Sequence, residues 1–187
     1  MLIFGMFLTF VETWVSLFYH LCDFSNVCVF PFQALRYLDF FFAQMFIVYL
    51  SIYIVHWTEK WRWLQWILNF VGAFIIVILQ ILLPGELYVQ AGIVIICFGG
   101  IIVYWVAYAK TVGRGRIPPY DWTWFTPGLV FLTISVVMFV IQNTADEIYW
   151  ATHSIWHMTA ALGFTYIIKI KPKPPPNTNV ARQIKFR

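Results

Sequence analysis

The sequence predicts an all-α integral membrane protein, a bundle of about six transmembrane helices. Three observations carry that expectation. Hydrophobic residues make up 61% of the 187 positions and charged residues only 11%, where a soluble domain carries about 25% charged. Apolar runs of roughly 20 residues, each enough to span about 30 Å of hydrocarbon, recur along nearly the whole chain. Lysines and arginines fall almost entirely on alternate connections between those runs. A soluble helical protein needs polar faces to cover its surface, and these runs have too few.

The spans are expected at about 2–22, 34–55, 63–83, 88–108, 126–142 and 148–168. The first contains Glu12 and has neither a basic leading region nor a small-residue cleavage site, so it does not read as a cleaved signal peptide. Pro31 precedes the second span, and Glu59-Lys60-Trp61-Arg62 separates it from the third. Pro84-Gly85-Glu86 separates the third from the fourth. Gly99-Gly100 within the fourth reads as a site of close helix packing. Gly113-Arg114-Gly115-Arg116 with Pro118-Pro119 forms the longest internal loop, and Asp146-Glu147 divides the last two spans. Residues 1–170 thus form the helical bundle. Residues 171–187 form a basic, proline-rich tail in which three consecutive prolines exclude helix.

Counting cations on alternate sides gives eleven of the twelve on one side and only Arg36 on the other. The positive-inside rule then puts both termini in the cytoplasm. It also makes the net charge of +4 a mark of membrane orientation, with no nucleic-acid partner implied. Trp57, Trp61, Trp63, Trp66, Trp122 and Trp124 cluster at the cytoplasmic boundary as an interfacial belt. On the opposite face Cys22 and Cys28 flank a short loop, where they are either a disulfide or two thiols. Cys97, mid-span, reads as a packing residue.

Polar groups inside a membrane are costly and usually face a functional interior. Ser16 and His20 are four apart at the outer end of the first span, and so share one helix face. His153 and His157 repeat that spacing at the outer end of the sixth span, and Asp39 lies in the first turns of the second. Only His56 lies at the cytoplasmic end. Two histidines at i and i+4 with a third from another helix make an open three-histidine site, the catalytic form of zinc coordination. Asp39 is then a candidate to act as general base or to orient the attacking water, and Ser16 to polarise or position the substrate. The competing reading is a set of groups that hydrogen-bond one another and hold the helices together. Glu12 continues the Ser16/His20 face one turn deeper, as an outer partner of the site, a protonated carboxyl or a packing group.

The segments SLFYHLCD (Ser16 to Asp23), YLDFF around Asp39 and ATHSIWH (Ala151 to His157) resemble the CREST superfamily of membrane hydrolases. Within it they are most similar to the branch of the GPI-cleaving post-attachment phospholipase and myomaker. The resemblance implies zinc held by His20, His153 and His157, with Ser16 and Asp39 completing the active centre. It also implies seven spans, whereas this sequence starts at what corresponds to the second. It is therefore expected to be either a truncated form or a short homologue working with six spans.

The expected function is zinc-dependent hydrolysis of a lipid amide or ester, the resemblance pointing to the acyl chain of a GPI anchor. The alternatives are a myomaker-like fusion protein with a structural metal site and a lipid receptor without turnover. The expected partner is a membrane lipid, with homo-oligomerisation left open. The expected location is the plasma membrane or a membrane of the secretory pathway.

Overall fold

Hydrocarbon offers a peptide group no hydrogen-bond partner, so a crossing segment must satisfy its backbone internally, as a helix does. The computed structural model describes residues 2–25, 27–55, 57, 59–84, 86–112, 118, 120–142 and 148–170. They form six α-helices: α1 (Leu2–Ser25), α2 (Phe32–Ile54), α3 (Arg62–Leu82), α4 (Leu87–Val112), α5 (Phe125–Gln142) and α6 (Tyr149–Lys169). Single 3-10 turns, Glu59–Trp61 and Trp122–Trp124, lead into α3 and α5. No strand occurs among the described residues. His56, the Gly113–Arg116 loop, Asp146-Glu147 and the tail at 171–187 lie outside the described residues.

Five helices are long and apolar enough to cross a membrane. The sixth, α6, matches α3 in length at 21 residues and is less apolar because it carries Thr152, His153, Ser154, His157 and Thr159. Exposure is inverted relative to a soluble protein. Ile96 is 75% exposed and Phe70 74%, while Asp39 and His153 are completely buried and Asn69 is 2% exposed. Apolar groups outside and polar groups inside suit lipid as the solvent. The chain is a helical integral membrane protein.

Packing divides the chain into two compact units, Met1–Arg116 and Ile117–Arg187. In the first, α2 is the central post and packs against α1, α3 and α4. Its α1 side is a stripe of buried residues (Leu35, Asp39, Phe46, Tyr49) at helical spacing. Leu35 joins Tyr19 and Cys22 of α1 in one cluster. Lower down, Tyr49 lies so close to α1 that a Cβ on Gly5 would come 2.6 Å from its ring. On its other side α2 contributes Met45 to a core with Ile76 of α3 and Ile93 of α4. The helix starts after Pro31, whose carbonyl accepts the Ala34 and Leu35 N–H groups at 2.9 and 3.1 Å.

The loop after α1 is closed by a Cys22–Cys28 disulfide. This answers the question the sequence left open. Helix α1 runs to Ser25, three residues beyond the expected end, so Cys22 sits on a helical turn with its Cα 4.5 Å from that of Cys28.

In the second unit α5 and α6 pack as a pair. Gly163 permits the approach: an added Cβ there would lie 2.8 Å from the Leu132 side chain and 3.0 Å from its backbone nitrogen. Phe131 stacks on Tyr166 with ring centroids 5.7 Å apart, and Lys169 caps the stack from over the Trp124 ring at 4.8 Å. Gly99 and Gly100, expected to mark close packing, do not: among the described residues nothing lies within 4 Å of a Cβ built at either. Two small residues make an approach possible, and the position of the neighbouring helix decides whether it happens.

Gly163→Val is accordingly expected to destabilise the protein by about 1–3 kcal/mol through overpacking. Gly99→Ala should change the unfolding midpoint in detergent little, and equal effects of the two would contradict this packing. Maleimide labelling of denatured protein should count one thiol, Cys97, without reductant and all three after reduction. Three thiols from the start would exclude the disulfide.

Candidate functional site

Each unit carries one part of the polar constellation. In the first, the contacts of Tyr19 with Leu35 and of Gly5 with Tyr49 fix the antiparallel register of α1 and α2. That register brings Ser16 level with Asp39. Both Ser16 and His20 are half-buried, the latter with its ring centroid 5.1 Å from that of Tyr19. Asp39 is completely buried because it occupies the α1-facing stripe of α2, one turn from Leu35. A carboxylate oxygen of Asp39 lies within 4.8 Å of one from Glu12. Two like charges at that separation in a low-dielectric interior repel strongly, so the pair calls for a proton or a cation. Glu12 therefore belongs to the same polar centre as Asp39. The sequence left its role open because its neighbour lies on another helix.

In the second unit the i, i+4 spacing of His153 and His157 does what it predicts. Their Nε2 atoms face each other at 3.1 Å. His153 is completely buried, with its ring against Tyr149 and Trp156, at centroid separations of 5.0 and 4.9 Å. Its Nδ1 lies 2.8 Å from Oε1 of Gln142, the last residue of α5. An amide oxygen only accepts, so Nδ1 carries the proton and Nε2 presents its lone pair toward His157. That is how proteins orient a metal-ligating histidine: the far nitrogen donates to a fixed acceptor, which sets tautomer and ring angle.

The donor set fits zinc. Zn–N bonds of about 2.0–2.1 Å at a tetrahedral angle put two ligand nitrogens about 3.3 Å apart, close to the 3.1 Å found here. The same approach also accommodates a proton on His157 Nε2 donated to His153.

Gln142 is the residue the sequence reading missed. It is 2% exposed although it ends a span, where a polar residue reads as a helix boundary. The available signal was an amide at the end of α5, just before the connection that leads to two histidines. Further amides are buried in the first unit: Gln65 and Asn69 on α3, and Gln44 on α2, which meets Gln80 of α3 at 3.1 Å.

Gln142→Leu is expected to lower stability by about 1–3 kcal/mol, because it leaves a buried imidazole N–H without an acceptor. Gln142→Glu, which keeps an acceptor, should lose less. Thermal unfolding in detergent checks both, and an unchanged midpoint in Gln142→Leu would rule out the orienting contact.

No curated protein matches the chain. The model of the family described as "Protein of unknown function (DUF3522)" matches residues 1–158, which cover every helix through the two histidines of α6. The chain belongs to this family, DUF3522.

Proposed function

We propose that the chain is a zinc-dependent lipid hydrolase whose active centre is formed by His20, His153, His157, Asp39 and Ser16. The observation that carries this reading is the histidine pair of α6, with facing Nε2 atoms 3.1 Å apart and one ring oriented by Gln142. Converging nitrogens with an orienting amide are the arrangement of a metal-ligating histidine pair, and they favour that reading over helix adhesion alone.

Zinc, held by His20, His153 and His157, would supply Lewis-acid chemistry toward water and a carbonyl oxygen. The remaining work falls to the chain's own side chains. Asp39, buried and next to Glu12, accepts the proton of the attacking water. Glu12 shares that proton until Asp39 returns it to the leaving amine nitrogen or alcohol oxygen as the acyl bond breaks. The Ser16 hydroxyl, level with Asp39, donates a hydrogen bond to the carbonyl oxygen as negative charge develops on it. The apolar surroundings exclude bulk water, which strengthens each of these interactions.

The substrate class is a lipid amide or ester reached from the membrane. The resemblance of SLFYHLCD and ATHSIWH to the GPI-cleaving branch of the CREST superfamily favours a GPI acyl chain. The Cys22–Cys28 disulfide supports an oxidising compartment at that end of α1. Together with the cation asymmetry it favours a cytoplasmic C-terminus in the plasma membrane or a secretory-pathway membrane.

Purified protein in mixed lipid–detergent micelles should release fatty acid from an amide- or ester-linked lipid. Asp39→Asn should reduce the rate by about 10²–10⁴-fold and Ser16→Ala by about 10²–10³-fold, with unfolding midpoints retained. Chelation should abolish release and added zinc restore it. A folded wild type inactive on amide and ester lipids alike, in a membrane-fusion assay unaffected by Asp39→Asn, would replace the hydrolase reading with the fusion one.

A further inference from the structure

A second polar site lies in the first unit, on the side of α2 that faces α3 and α4. It is a cavity of about 270 Å³ lined from all three helices. Asp39 is not in its lining, so it is separate from the centre described above. The buried amides of Gln44 and Gln80 form its inner part, where they meet at 3.1 Å. The rim carries Arg36 and Glu86, both exposed, with Gln33 and Gln90 beside them. Arg36 is held with its guanidinium carbon 6.0 Å from the Phe40 ring centroid.

The amide pair alone is explained by helix–helix adhesion. The rim charges are not. Among the described residues neither Arg36 nor Glu86 forms an ion pair, although they border one cavity of opposite charges. Among the described residues of the first unit, Arg36 is also the one cation at the end of the helices where this cavity lies.

We infer that this cavity binds the headgroup of a zwitterionic phospholipid. The Arg36 guanidinium and the Gln33 and Gln90 amides supply fork and N–H donors for the phosphate oxygens. Glu86 takes the ammonium group. Phe40, Leu83 and Val89 meet the glycerol and the first methylenes. Pockets that engulf a whole drug-sized ligand measure roughly 300–1,000 Å³, so this smaller cavity suits a headgroup whose chains stay in the bilayer.

The test is native mass spectrometry of the full chain after exchange with vesicles of equal parts phosphatidylcholine, phosphatidylethanolamine and phosphatidylglycerol. Wild type should retain a zwitterionic lipid, Arg36→Gln should retain roughly tenfold less, and Glu86→Gln should shift retention toward phosphatidylglycerol. Arg36→Lys, which keeps the charge and loses the fork, should fall between wild type and Arg36→Gln. Equal retention by wild type and Arg36→Gln, or a wild-type preference for phosphatidylglycerol, would overturn the inference. So would thermal stabilisation by inorganic phosphate alone, lost in Arg36→Gln, without any retained lipid: the site would then take free phosphate.

Discussion

A polar group carried into hydrocarbon must find its partner within the protein, and the structure is arranged around that requirement. An unsatisfied backbone or side-chain polar group costs several kcal/mol in lipid. The backbone meets the demand as six helices. The side chains meet it by turning inward: Asp39 and His153 are completely buried while Phe70 and Ile96 face outward. Three of the polar contacts described are points where one helix fixes another. Gln44 meets Gln80 between α2 and α3, Gln142 meets His153 between α5 and α6, and Glu12 approaches Asp39 between α1 and α2.

The contacts of α1 with α2 and of α5 with α6 hold their geometry because those helix pairs approach closely. Tyr49 fills the space a side chain at Gly5 would need, and Leu132 does the same at Gly163. The disulfide at Cys22 fixes the last turn of α1 just beyond His20. A hydrolytic centre needs its groups held to within a fraction of an ångström. Rigid helices, which carry all the residues proposed for that centre, are a scaffold that can supply this.

Much of this was legible in the sequence, and the failures have physical causes. Span centres are dictated by the length of hydrocarbon to be crossed, so all six apolar runs are helices. Their ends are not, because polar residues such as Asp23 and Ser25 continue the last turn of α1 once it leaves the apolar zone. The pairing of His153 with His157 is a property of a single helix and could be read from spacing. The contact of Gln142 with His153 and the approach of Glu12 to Asp39 depend on which helices lie side by side, which periodicity does not encode. Gly99-Gly100 fails for the same reason: a small-residue pair says that a neighbour can come close, and none of the described residues does.

The proposed function requires that the α6 histidines are ligands and not structural polar groups. Elemental analysis of detergent-purified, monodisperse protein tests that most directly, with wild type measured beside His153→Ala and His157→Ala. About one zinc per wild-type chain is expected, lost in both variants while they remain folded. A wild type without zinc, or zinc retained undiminished in both variants, would contradict the proposed function.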